Sequence, residues 1–172
     1  IEYLAKSDEA TRRALKENPN NSYVLETAAK NLLRQEFEAD DNTRVQAAAE
    51  ALSYVFQASA LETASSRRMK LGNLAQEALK VLQSPSADLI VEKLCRLGSS
   101  FGFIAKAWKT LSQRTNIADI LPWEEIQPSQ AAAGLEVLRE SPQRDWLLVR
   151  LQYDLEVLAA PFEFPQQLAL LD

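Results

Sequence analysis

The chain has 172 residues, enough to bury a substantial core as one domain, with 47% apolar and 25% charged residues. It carries a net charge of −5, one cysteine, four glycines and no histidine. That balance argues against a nucleic-acid binder, which needs a basic face, and against most zinc, di-iron, nucleophile and phosphate-loop chemistry. Ala, Leu, Glu, Gln, Lys and Arg recur throughout, which predicts an all-α fold.

Proline and capping residues divide the chain into helices. A first helix is expected over about Glu2 to Glu17, stopped by Asn18-Pro19-Asn20-Asn21. Ser22 is read as the cap of a second helix, with Leu25, Ala28, Ala29, Leu32, Leu33 and Phe37 on one stripe. Asp40-Asp41-Asn42 breaks it and caps a third, whose inward positions are Val45, Ala48, Ala49, Leu52, Val55, Phe56 and Ala60. Ala47-Ala48-Ala49 allows close approach of a neighbour. Ser65-Ser66 begins a fourth helix with Leu71, Leu74, Ala78, Leu79 and Leu82 inward, although nothing in the residues forbids one continuous helix there.

Ser84-Pro85 and Ser141-Pro142 are read as two N-caps followed by Pro at the first helical position. The Ser84 helix is expected to end at Gly98 in a left-handed cap, and a new stripe of Phe101, Ile104, Ala105, Trp108 and Leu111 follows. Residues 116–127 are irregular, and Ser129 is the expected cap of a helix reaching about Glu140. The Ser141 helix is apolar on two faces: Leu147, Leu148, Leu151, Leu155 and Leu158 on one, Trp146, Val149, Tyr153 and Val157 on the other. Such a helix is sandwiched between layers or lies in an interface, and we place it at the centre of the core. Pro161 is expected to stop it and open an apolar tail over residues 161–172. The result is a single-domain bundle or layered irregular array of about seven to nine helices, with an open armadillo-like stack as the alternative. No internal repeat at solenoid period is present.

The chemical motifs are sparse. The acidic group Glu36, Glu38, Asp40 and Asp41 lacks the glycine and closing glutamate of a calcium loop, and reads as a solvated helix end. Cys95 lies on an apolar stripe without a histidine to activate it, and reads as a structural thiol. Glu136 and Glu140 form a carboxylate pair of the kind common on helix surfaces. No catalytic residue, cofactor or metal ligand is assigned. The longest uncharged stretch, Ala51–Leu61, falls far short of the roughly 20 residues of a membrane span. With no secretory signal and no possible internal disulfide, a cytoplasmic location is expected. The opening at Ile1, within an apparent helix, suggests a piece of a longer protein.

What remains points to contact with another protein: an adaptor, scaffold, chaperone or regulatory subunit, or a homo-oligomer. Trp123 in a proline-bounded loop, Phe162 and Phe164 in the tail, and the basic run Arg67, Arg68 and Lys70 are the candidate contact residues. The alternative is a carrier of an apolar small molecule or lipid, with a cavity near Gly98, Gly102 and Trp108. A carboxylate- or cofactor-based enzyme ranks third.

Overall fold

The computed structural model describes residues 2–34, 40–62, 64–112 and 127–163, and these form eight helices with no strand. They are α1 (Glu2–Glu17), α2 (Ser22–Arg34), α3 (Asp41–Leu61), α4 (Ser65–Leu82), α5 (Ala87–Arg96), α6 (Ser100–Ser112), α7 (Pro128–Arg139) and α8 (Trp146–Glu163). Helices consecutive in sequence pack side by side, as short connections require. α3 touches α2, α4, α5, α6 and α8, so the core is built around it.

The reason lies in its composition. Every residue from Ala51 to Ser59 is buried, on all sides of the helix. That segment falls within the long uncharged stretch, and a helix without charges can be enclosed on every side without desolvating an ion. Its small residues, Ala48, Ala49, Ala51 and Ala58, let neighbours come close. Phe56 meets Trp108 of α6 edge to face, with ring centroids 4.1 Å apart. Trp108 is completely buried.

The central place expected for α8 therefore belongs to α3. α8 packs its Leu148, Leu151, Leu155 and Ala159 face on α7, α3 and α6, and leaves the other face outside. Arg150, Asp154 and Glu156 lie along this helix, and enclosing it fully would strip water from their charges.

Asp40 caps α3 by accepting the Thr43 N–H at 2.8 Å. Gly98 ends α5 at φ +76°, where the Ser99 N–H reaches Leu94 O and the Gly98 N–H reaches Cys95 O. That pair of bonds is the Schellman closure, and glycine fits it because the left-handed region costs it nothing. Other ends differ from the sequence reading. Asn21, not Ser22, caps α2, with its Oδ1 accepting the Tyr23 and Val24 N–H groups, while the Ser22 hydroxyl donates to Glu62. Ser84 and Ser141 each help close the preceding helix, donating their N–H groups to Val81 O and Leu138 O. The next helices begin later, at Ala87 and at Trp146, where Asp145 Oδ1 accepts the Leu148 N–H at 2.9 Å. α7 starts at Pro128, the position before Ser129, and its Gln127 N–H donates to Gln130 Oε1. α8 runs through Pro161 to Glu163. Proline there withholds the N–H that Val157 O would accept, at a residue on the exposed face of the helix.

α3 and α4 are two helices rather than one. Glu62, just past the end of α3, is fastened from three sides. Its carboxylate accepts from Ser22 Oγ at 3.0 Å and Arg67 Nε at 3.3 Å, and its carbonyl accepts from Arg68 Nε at 2.9 Å. Side chains from α2 and α4 thus hold the break.

Candidate interaction surfaces

Asp145 starts α8 and also accepts a hydrogen bond from Ser100 Oγ at the start of α6, which anchors this end of the helix to the corner after α5. Gln152 Nε2 donates to Leu138 O at 3.1 Å and ties the middle of α8 to α7. With the inner face so fixed, Trp146, Val149, Tyr153 and Val157 follow one another at helical spacing on the outside. They are 38%, 48%, 61% and 58% exposed. Scattered exposed apolar residues are ordinary on a protein surface, whereas a continuous stripe marks a contact surface. Arg150 and Asp154, 3.4 Å apart, border the stripe, as does Glu156, which reaches Arg139 of α7 at 3.9 Å. Burial pushes the Asp154 carboxyl above its ordinary range, and the Arg150 guanidinium only partly offsets this.

A concave feature lies between α2, α3 and α4. It is an open groove of about 600 Å³ floored by Leu33, Leu74 and Val81. Among the described residues its lining carries the cations Lys30, Arg34, Arg44 and Lys80 and the carboxylate Glu77.

The expected contact residues fall in different places. Trp123 and Phe164 lie outside the described residues. Phe162 is in the last turn of α8, and its side chain lies outside the described residues. Arg67 and Arg68 are turned to internal work: Arg67 binds Glu26 and Glu62 and lies 4.0 Å over the Tyr23 ring, and Arg68 holds the Glu62 carbonyl. Lys70 is exposed. The structure does not bring this basic run and the α8 stripe into one site.

Gly102 and Trp108 are buried within the protein, and Gly98 is half-buried. A Cβ on Gly102 would stand 2.6 Å from Leu94 Cβ and 2.9 Å from the Cys95 nitrogen, so α5 and α6 touch there backbone to backbone. A Cβ on Gly98 would meet the Pro142 ring at 3.3 Å. Cys95 is half-buried, and burial together with the nearby Glu92 charge pushes its thiol up to about 11. Glu136 and Glu140 are exposed, and Asp40 and Asp41 serve the start of α3. Among the described residues no group of three His, Cys, Asp or Glu side chains converges on a point, and no helix is long and apolar enough to cross a membrane. Comparisons with known protein families, with curated proteins and with solved structures give no match.

The sequence reading missed both surfaces as sites. The α8 stripe is visible as apolar periodicity, but it lies on the outside and not in the core. The groove had no sequence signal, because its four cations come from three helices and are spread over fifty positions.

Proposed function

We propose that this protein is a non-enzymatic protein–protein interaction module, and that its contact surface is the outer face of α8. One observation carries the reading: Trp146, Val149, Tyr153 and Val157 form a stripe on a helix whose opposite face is firmly packed. Two of the four are aromatic, the residue class that anchors interfaces. A stripe of this width takes an amphipathic helix laid alongside α8, with its own apolar positions three and four apart. The raised thiol of Cys95 supports a non-catalytic reading, because the thiolate needed for nucleophilic chemistry is disfavoured at neutral pH.

The test places p-benzoylphenylalanine at Tyr153 in the full chain within the source cell, followed by irradiation. The expected result is one discrete protein adduct, abolished by Val149→Glu with Val157→Glu while far-ultraviolet circular dichroism stays unchanged. No adduct beyond that given by the same probe at exposed Glu92 would overturn the assignment. An adduct with a second copy of the chain would also overturn it, by making α8 a homodimer seam.

A further inference from the structure

A cationic groove is an exception on a chain of net charge −5. Among the described residues, Lys30 and Arg34 come from α2, Arg44 from α3 and Lys80 from α4, and the one carboxylate that lines the groove with them is Glu77. Helix dipoles explain part of this, because cations favour C-terminal turns, and Arg34 and Lys80 stand in such turns. They do not explain Arg44, near the N-terminus of α3, where the dipole disfavours a cation. Nor do they explain why all four meet at one recess.

The cations differ in how they are held. Lys30 is paired with Glu26 at 3.1 Å, and Arg44 lies 3.8 Å from Asp41. Arg34 and Lys80 are exposed and make no ion pair among the described residues. Below this rim the groove is apolar, floored by the buried side chains of Leu33, Leu74 and Val81. A ligand entering here meets positive charge at the mouth and hydrocarbon at the base. The volume, about 600 Å³, is that of a small-molecule site.

We propose that this groove binds a small organic phosphate. Its phosphoryl group sits between Arg34, Arg44 and Lys80, and its apolar or aromatic body rests on Leu33, Leu74 and Val81. Two cations without an ion pair among the described residues, Arg34 and Lys80, suit a phosphomonoester dianion better than a singly charged carboxylate, and the arginine fork presents paired donors to phosphoryl oxygens. A soluble ligand fits better than a lipid headgroup, because the acidic remainder of the chain repels an anionic membrane. The site is separate from the outer face of α8, so either assignment can fail without the other.

The probe is 1-naphthyl phosphate, titrated into the full chain and followed by amide chemical shifts at low salt. Shifts should centre on Lys30–Arg34 and Leu74–Ser84. Arg34→Gln with Lys80→Gln should weaken binding at least tenfold with an unchanged thermal midpoint, and 2-naphthoate should bind several-fold more weakly than the phosphate. Three results would overturn the proposal. One is undiminished binding by the double variant. Another is inorganic phosphate binding as tightly as the naphthyl ester, which would remove any role for the floor. The third is binding to phosphoinositide vesicles that 1-naphthyl phosphate cannot compete, which would make the groove a membrane contact.

Discussion

Arg67 on α4 and Glu26 on α2 form an ion pair largely shielded from water, with side chains only 14% and 6% exposed. The pair is bracketed by Glu62 at 3.3 Å from Arg67 and by Lys30 at 3.1 Å from Glu26, and the Tyr23 ring covers the guanidinium. It joins the second and fourth helices at the point where the third ends. A buried pair of this kind contributes little net stability against an apolar replacement, but breaking one half leaves the other charge stranded. Arg67→Ala should therefore destabilise by about 3 kcal/mol, read as a fall in the urea midpoint. The double variant with Glu26→Leu should recover part of that loss. Equal losses in the single and double variants would show that the pair is not coupled.

The same cluster contributes to stability in acid. At Glu26, burial pushes the pKa up, but hydrogen bonds from Arg67 and Lys30 outweigh it and hold the carboxyl below 4.5. At Glu62, burial is likewise outweighed by hydrogen bonds from Ser22 and Arg67. A carboxyl whose folded pKa is depressed contributes stability that is complete above its unfolded value and is lost as the pH falls through the folded one. The urea midpoint should hold steady from pH 7 to about 5 and then decline. The decline should be shallower in Arg67→Ala.

Asp154 has the opposite sign. Burial raises its carboxyl above 3.8, with Arg150 opposing, so its charge at neutral pH costs stability. Asp154→Asn should raise the thermal midpoint at pH 7 by about 1–3 °C. The gain should vanish at pH values below 3.8, where the wild-type carboxyl is itself neutral. Calorimetry at the two pH values checks both halves.

Two glycines separate steric need from mere occupancy. At Gly102 an added methyl would press on Leu94 Cβ and the Cys95 backbone, neither of which can swing aside. Gly102→Ala should cost about 2–3 kcal/mol. At Gly134 the methyl would meet Cγ and one Cδ of Leu111 at 3.1 Å, a contact that a shift of a few tenths of an ångström relieves. There the gain in helix propensity, about 1 kcal/mol, offsets the crowding, and Gly134→Ala should be close to neutral in thermal unfolding.

Cys95 should be a slow thiol. With its pKa raised to about 11, the thiolate fraction at pH 7.5 is small. Its reaction with a disulfide reagent should run at least about tenfold more slowly than that of an exposed model thiol, and should accelerate steadily up to pH 10. Stopped-flow absorbance at a series of pH values measures it.

Local punctuation was readable where a single residue suffices. Asp40 accepts the Thr43 N–H because its carboxylate lies three residues away, and Gly98 turns left-handed because no other residue does so at no cost. Caps failed where several candidates stood close together. Asn21 and Ser22 can each cap α2, and the choice fell to Asn21 because the Ser22 hydroxyl is drawn to Glu62, forty residues away. Asp145 outcompeted Ser141 in the same way, with Ser141 closing α7. The apolar stripe of α8 was fully visible as periodicity, but periodicity reports which residues share a face and not what covers that face.

By itself, then, the sequence determined the all-helical class, most of the helices and the inward stripes of α2, α3, α4 and α6, because these follow from propensity and spacing along one short segment. Only the tertiary structure decided that α3 is enclosed and α8 lies at the edge. Only it decided that Arg67 faces inward while four cations from three helices meet over an apolar floor. Those outcomes depend on contacts between residues far apart in the chain, where the cost of burying a charge is settled by the partner it finds.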